Sequence, residues 1–475
     1  MTTAKRILRN FLSLSVTEII SKIITFLATI YLARILEVEN FGRINFASAI
    51  FAYFLLISNS GLMTLGTREV ARNRGVLRIY VGDIIPLRLF LAAISFLLLV
   101  LVVFLIPKPL DVKFLIIFYG FSLFPLALSL EWCFQGIERM EFVGFARVLG
   151  CLVYFLLVIG VMKNSAQVLI LPYLFLAGNA IASIFLFYVL IKKFGVIKYN
   201  FNPQNWWKLL KQASPMGFAW LMIQIYNNFD TVMLSFMKSD KEVGLYNAAY
   251  KIILGLFFIG GIYIISIFPV ISKYYKESME KLKTLLSYSA KLMIILGLPL
   301  GVGGMVLAKP IMDFFYGPQY DGGIIAFRIL IWYVVVSFIC MIYANSLLAC
   351  NREKKYAMGV AFSAIINIGL NALLIPRFSL KGAAFATVVS EVVLLIYSYI
   401  EFNKIIKLEI KKFFLKPLFS AVLMGEILYL NMNKNLFLLI AIGIGVYVSG
   451  LFLTKGISKE DIKVIRCQLM NSKIV

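Results

Sequence analysis

Histidine is absent from the 475 residues. Its absence removes the side chain most often used as proton shuttle or general base near neutral pH, so a proton handled by this chain has to ride on a carboxylate. Carboxylates are themselves scarce, 23 against 47 lysines and arginines. The cysteines are Cys133, Cys151, Cys340, Cys350 and Cys467. Scattered, odd in number and without metal-ligand spacing, they read as small apolar fillers. No Gly-x-x-x-x-Gly-Lys-Ser/Thr run occurs, which excludes an intrinsic P-loop ATPase. Dinucleotide fingerprints, zinc spacings and nucleophile elbows are also missing, and no external loop is long enough to form a catalytic domain. A membrane glycosyltransferase, polymerase or ligase therefore lacks its chemistry here, and the chain reads as a non-enzyme.

What is abundant is apolar. Hydrophobic residues make up 61% of the chain and the mean hydropathy is +0.91. Runs of about 20 apolar residues, the length of helix that crosses a bilayer core, recur throughout. Only helices or closed barrels satisfy their backbone in hydrocarbon, and these runs far exceed the strands of a barrel, about ten residues each. The expectation is an all-α integral membrane protein with about 14 transmembrane helices. The net charge of +24 falls mostly in alternate loops and at the two termini, as the positive-inside rule requires. It marks a multi-pass topology in the cytoplasmic membrane with both termini in the cytoplasm, not a nucleic-acid partner. The same residues would attract anionic membrane lipids. Lys5, Arg6 and Arg9 precede the first apolar run, but that run is long and leads straight into another span, so it reads as an uncleaved first helix.

Ionisable groups inside spans are costly and mark pathways or packing locks. Glu18 and Lys22 stand four apart on one helical face in the favourable acid-before-base order, either as a static pair or as lining of a polar lumen. Arg43 opens the second span. Arg88 lies in the first turns of the third, near the cytoplasmic boundary, where snorkelling accounts for it. The loop with Arg68, Arg72, Arg74 and Arg78 is either an inside-positive anchor or a first contact for an anionic head group. Polarity concentrates between Ser214 and Gly261, in the stripe Gln224, Asn227, Asn228, Asp230 and Thr231, and again in Asn247, Tyr250 and Lys251. Asp230 and Lys251 lie about seven residues from one external turn, hence roughly 10 Å deep on adjacent antiparallel helices. They form either a structural lock or a breakable gate or ion site. Residues 272–291 are basic and amphipathic and are expected to lie as a helix on the cytoplasmic surface. Arg328 sits early in span ten. Ser363, Asn367 and Asn371 form one stripe, for interhelical packing or for a lumen, and Glu391 in span twelve is a further buried-carboxylate candidate.

An internal repeat organises these features. Glu39-Asn-Phe-Gly42-Arg-Ile-Asn45-Phe-Ala47 matches Lys241-Glu-Val-Gly244-Leu-Tyr-Asn247-Ala-Ala249 at an offset of about 202, and Lys108-Pro109 matches Lys309-Pro310. The implied organisation is an N-terminal lobe (1–191, spans 1–6), a cytoplasmic linker (192–213), a C-terminal lobe (214–402, spans 7–12), and accessory spans 13–14 with a cytoplasmic tail (403–475). An even number of spans separates the copies, so a pseudo-twofold along the membrane normal relates them.

Several short motifs bear a family likeness. They are Ala33-Arg-Ile-Leu36 with Phe41-Gly42, then Gly61-Leu62 with Gly66-Thr-Arg68-Glu69. Asp230 with Val243-Gly244-Leu-Tyr246-Asn-Ala-Ala249-Tyr-Lys251 adds to them, as does Pro376 with Gly382-Ala-Ala-Phe-Ala-Thr387. Over essentially its whole length the chain resembles the polysaccharide (O-antigen, repeat-unit) flippases of the multidrug/oligosaccharidyl-lipid/polysaccharide exporter superfamily. The resemblance implies alternating access between two lobes, moving a polyprenyl-pyrophosphate-linked oligosaccharide outward for surface polysaccharide biosynthesis. No cofactor is implied, and coupling to protons or to sodium stays open. A polysaccharide polymerase and glycosyltransferases are the implied neighbours. On that reading Lys22, Arg43, Arg88, Lys251 and Arg328 are the cations available to a pyrophosphate, and Asn227, Asn247, Asn367 and Asn371 suit sugar hydroxyls. Glu18, Asp230 and Glu391 are the candidates for coupling or gating. A cation- or proton-coupled multidrug antiporter of the same superfamily and a peptidoglycan-precursor flippase are the alternatives.

Overall fold

The computed structural model describes residues 3–195 and 198–456, with side chains from residue 16 onward except at 219. The side chains of Lys5, Arg6 and Arg9, together with Cys467 and the C-terminal tail, lie outside the described residues. Among the described residues there is no strand. The helices are α1 (Thr3–Ile35), α2 (Val38–Asn59), α3 (Leu62–Arg72), α4 (Leu77–Leu105), α5 (Leu110–Gly120) and α6 (Leu123–Ala127). They continue as α7 (Glu131–Gly136), α8 (Met140–Val161), α9 (Leu171–Phe194), α10 (Pro203–Met237), α11 (Asp240–Glu277) and α12 (Met279–Val306). The last are α13 (Ala308–Tyr316), α14 (Ile324–Ala349), α15 (Glu353–Phe378), α16 (Leu380–Asn403), α17 (Leu415–Leu430) and α18 (Leu436–Leu453). Thirteen stretches among the described residues are long and apolar enough to cross a membrane. The expected seventh span is not one of them. Its helix, α10, is 35 residues long, about 52 Å at 1.5 Å per residue. Its polar stripe, not its length, lowers its hydropathy. The chain is a multi-pass, all-α membrane protein.

Two compact units divide at Gly244, within the first turns of α11. In the first, Met1–Gly244, α1 packs on α8 and α8 on α9, while α2 is held by α4, α5 and α10. A cluster around Trp132, Phe134, Leu62, Leu65 and Val81 joins α3, α4 and α7 and extends to Ala213 of α10. In the second unit, Leu245–Val475, α14 and α15 pack on α16, and α12 on α14. The appended pair α17 and α18 is seated on α12 through Met424, Leu428, Leu439 and Leu451 against Ile294 and Leu298, and Tyr447 donates to the Ile295 carbonyl at 2.8 Å.

The repeat is visible in the helix boundaries. α2 begins at Val38 and α11 at Asp240, α4 at Leu77 and α12 at Met279, so both pairs are offset by 202 residues. Two of its members differ. The copy starting at Val38 breaks at Ser60 and Gly61, both with positive φ (44° and 79°), whereas α11 continues for 38 residues. A Cβ at Gly61 would lie 2.5 Å from the Ala213 carbonyl oxygen, so only glycine allows both the φ and the approach of α10 there.

Three expectations are corrected by the structure. Residues 272–291 do not form a separate surface helix. α11 runs to Glu277 and α12 starts at Met279, with the Ser278 hydroxyl accepting from the Lys281 amide at 3.4 Å. The fourth span is not one helix but α5, α6 and α7 in series. Arg88 does not snorkel. It is 1% exposed, and its guanidinium donates to the carbonyls of Leu126 (2.8 Å) and Ser129 (3.0 Å). The Leu126 carbonyl also accepts the Ser129 amide at 3.2 Å, whereas the Ser129 carbonyl lies past the end of α6, where hydrocarbon offers no water to take it. Arg88 is the plug that makes the broken span possible.

Candidate functional site

The best-defined polar site in the first unit is built where the α1–α2 turn meets the α10–α11 turn. Just past each turn, the fifth residue of the following helix is a glycine of the repeat, Gly42 in α2 and Gly244 in α11. A Cβ at Gly42 would fall 1.7 Å from the carbonyl oxygen of Asp240, and one at Gly244 would fall 2.0 Å from that of Val38. Val38 and Asp240 are themselves repeat partners, 202 apart, so the contact is reciprocal in the way a twofold interface is. Backbone meets backbone because neither turn carries a side chain at that point.

Charge holds the same contact. Asp240 is buried at the start of α11, where the helix N-terminus favours an anion. Its carboxylate accepts from Lys108 Nζ at 2.6 Å and from Ser235 Oγ at 3.0 Å, and it lies 3.7 Å from Arg43 Nε. Arg43 also donates to Glu39 at 2.6 Å and to Asn40 at 3.3 Å. With Lys108 and Asp240 only 11% and 8% exposed, the pair is only lightly screened by solvent. Beneath it Phe46 of α2 meets Phe236 of α10 edge-on, with ring centroids 5.5 Å apart, and Lys108 lies over the Phe46 ring.

From there α2 and α10 run antiparallel in contact to their far ends, where Ser60 and Gly61 meet Ala213 and Gly217. Asp230 and Thr231 are buried along this seam, 4% and 5% exposed, and the Asp230 carboxylate bears electrostatically on the Tyr53 hydroxyl of α2. Asn227, one turn away, is exposed. Asn228 turns inward on its own helix, donating to the Gln224 side chain at 2.8 Å. The seam is closed at both ends.

The other candidates distribute as follows. Glu18 and Lys22 form their expected pair at 3.1 Å, with Lys22 58% exposed. Arg43 belongs to the turn cluster just described, and Arg88 is committed to two carbonyls. In the basic loop, Arg68 and Arg72 pair with Glu69, Arg74 pairs with Glu138, and Arg78 donates to the Phe194 carbonyl.

In the second unit Lys251 is half-buried in α11 and, within that unit, has no ion-pair or hydrogen-bond partner among the described residues. Asn247 is buried one turn before it, and Tyr246 and Tyr250 stack at 5.7 Å, with the Tyr246 hydroxyl 3.1 Å from that of Thr387. Arg328 is exposed on α14. Ser363, Asn367 and Asn371 are all buried. Ser363 bonds to the Ser390 carbonyl and Asn371 donates to Asn367 at 2.9 Å, so in this conformation the stripe serves α15–α16 packing. Glu391 is buried and accepts from Ser337 Oγ of α14 at 2.6 Å. Asp230 belongs to the first unit and Lys251 to the second.

Asp240 and Lys108 escape a reading of the sequence because they stand at or beside short turns, where charge is ordinary, and Ser235 because a serine near a helix end draws no notice. The repeat offset carries the signal. On residue numbering alone it sets Asp240 opposite Val38 and Gly244 opposite Gly42.

Comparison with known proteins places this architecture. The family model "Polysaccharide biosynthesis protein" matches residues 7–275, and the model "Lipid II flippase MurJ" matches residues 142–446. A protein of Shigella dysenteriae named as an O-antigen transporter is 24% identical over 403 residues, covering 82% of this chain and 98% of that relative. The solved structure of the lipid II flippase MurJ in an inward closed conformation superposes with a TM-score of 0.74 at 17% identity, over 92% of this chain and 97% of that one. An inward-facing multidrug resistance MATE transporter of the MOP superfamily gives 0.67 at 17% identity, over 81% and 94%. At such identities the two structures establish the shared fold. The chain belongs to the polysaccharide biosynthesis protein family, among the flippases of the multidrug/oligosaccharidyl-lipid/polysaccharide exporter superfamily.

Proposed function

We propose that this chain is a flippase that carries polyprenyl-pyrophosphate-linked oligosaccharide repeat units from the cytoplasmic to the outer leaflet of the cell membrane by alternating access. The observation that carries the reading is Lys251. A half-buried ammonium in a transmembrane helix, without an anion in its own unit, is costly and lowers that cost by meeting a mobile anion. A pyrophosphate supplies one. Asn247, one turn before Lys251 on α11, is buried in this conformation, and on the opening helix it would be the nearest amide to a saccharide hydroxyl. Arg328 and Lys22 are further cations for an entering or leaving head group, and the isoprenoid tail stays in the bilayer.

The moving bodies on this reading are the repeats, 1–191 and 214–402, with 192–213 as connection and 403–475 as accessory. Opening toward the outside must part Gly42 from Asp240, and opening toward the cytoplasm must part Gly61 from Gly217. Asp230 and Glu391 are the carboxylates that would answer to a coupling proton or sodium ion. Both termini are cytoplasmic, and the chain works beside glycosyltransferases and a polymerase rather than as an enzyme.

The test is flipping of a fluorescent lipid-linked oligosaccharide by purified protein in vesicles. Lys251→Met should reduce the rate at least 10-fold with normal folding, and Lys251→Arg should retain part of it. Robust efflux of a cationic dye without movement of the lipid-linked sugar would overturn the proposal. The lipid II flippase match over residues 142–446 supports a second reading, a peptidoglycan precursor as cargo. Transport of lipid II in preference to the oligosaccharide would establish that one.

A further inference from the structure

Away from the seam, the second unit carries a cationic pocket that the transport reading does not use. It is a cavity of about 430 Å³ between the first half of α12 and residues 410–413, which connect α16 to α17. Lys283, Thr284, Ser287, Tyr288 and Lys291 line one wall, and Lys412 and Phe413 the other. On α12 these residues recur at steps of three and four, so a single helical face presents two lysines and three hydroxyls.

The charges converge. The ammonium groups of Lys291 and Lys412 sit over the same ring, Phe413, at 5.5 and 5.4 Å from its centroid. Glu409 accepts from Lys412 at 2.9 Å, and Lys283 adds its field at the same carboxylate. Lys283, Lys291 and Lys412 thus bring three ammonium groups to the wall of one cavity, and an anion entering it would lie in their common field.

Depth and surroundings select the anion. α12 is 28 residues long, about 42 Å against a hydrocarbon core of about 30 Å. Roughly two turns must therefore stand at head-group level. The pocket residues begin four residues into the helix, within that surplus, and Lys291, about 18 Å from the helix start, reaches the hydrocarbon boundary just before the buried apolar Met293 and Ile294. On the other flank of the same connection, an apolar groove of about 540 Å³ is lined by residues including Ile339, Leu395, Ile396, Ile410 and Phe414. A phosphate beside an apolar groove at the membrane boundary is the chemistry of a phospholipid.

We propose that this pocket holds the phosphate of an anionic phospholipid, such as phosphatidylglycerol, as a bound structural lipid separate from the transported cargo. Phe413 pre-positions two ammonium groups, the hydroxyls of Ser287 and Tyr288 donate to the phosphate oxygens, and the acyl chains run along the adjacent groove.

The experiment measures melting temperature and lipid retention in native mass spectrometry. It uses the full-length protein in neutral detergent with added phosphatidylglycerol, phosphatidylcholine or inorganic phosphate. Phosphatidylglycerol alone should stabilise the wild type and remain bound. Each lysine-to-glutamine change should weaken binding about 5-fold, and Lys283→Gln/Lys291→Gln/Lys412→Gln together about 100-fold. The corresponding triple arginine variant should bind normally, and the single variants carry the test if the triple glutamine variant is unstable. Equal stabilisation by phosphatidylcholine or by inorganic phosphate would overturn the proposal, as would unchanged binding in the glutamine variants.

Discussion

Replacing Gly42 with alanine puts a methyl group where the structure has a carbonyl oxygen. The new Cβ would sit 1.7 Å from Asp240 O, and a carbon–oxygen contact needs about 3.3 Å. The two turns must then separate by roughly 1.6 Å. Gly244→Ala asks for slightly less, because its Cβ falls 2.0 Å from Val38 O. Overpacking of this kind costs about 1–3 kcal/mol. If parting of the two turns relieves it, the open form gains about 5- to 150-fold in population. One opening relieves both clashes, so the double variant should cost little more than Gly42→Ala alone, a coupling that independent defects would not show. The assay is alkylation by a membrane-impermeant maleimide of Asn45→Cys, a position buried just behind the contact, in a background free of other cysteines. Labelling from the external side should rise 5-fold or more in either alanine variant. Unchanged labelling in both single variants, or strictly additive effects on stability, would refute the idea that these glycines form a gate seam.

Three further outcomes follow from the same geometry. Asp240→Asn leaves Lys108 facing a neutral amide, and breaking a buried pair typically costs about 3–5 kcal/mol. The Asn45→Cys reporter should again become more reactive, and Lys108→Met in the same chain should restore part of the protection. Arg88→Met strips two buried carbonyls of charged donors, each such bond being worth about 1.5–3 kcal/mol. The protein should lose several degrees of melting temperature in detergent, and Arg88→Lys, which cannot span both carbonyls, should rescue it incompletely. Burial pushes the Cys350 thiol up to about 11 despite nearby Arg352. Its alkylation should be slow at neutral pH and rise about tenfold per pH unit until that value is approached. A plateau near pH 8.5 would contradict this.

Much of the architecture was legible in the residues. Apolar run length predicted the helices, and the Gly42/Gly244 match predicted the repeat that the starts of α2 and α11 display. Where legibility failed, hydropathy was blind to partners. Depth along a span placed Arg88 near a boundary but could not say that Leu126 and Ser129 would turn their carbonyls toward it. Leu123–Leu130 are strongly apolar, so hydropathy passes over the break among α5, α6 and α7, and Pro125 is the trace that the sequence carries of it. Lysine-rich residues 272–291 mimicked a surface helix because the ends of two long helices, α11 and α12, carry the same charges. Asp240 was hidden by its ordinary setting in a turn, whereas Asp230 drew notice for an extraordinary one in a span.

Arg88 also records how the two halves of the chain have parted company. The repeat offset sets Arg88 of α4 against Ala290 of α12, which is fully buried. The span that follows α12 and α13 is the unbroken α14, with no freed carbonyls in mid-membrane to answer. Plug and break thus form a linked pair of characters. Neither is viable without the other, since an unplugged break exposes carbonyls to lipid and an unneeded plug strands a guanidinium. A chimaera that transplants α12 in place of α4 should fail to assemble unless α14 replaces α5–α7 in the same step. Because plug and break sit on consecutive spans, the expected unit of exchange between the halves is a pair of spans and not a single helix.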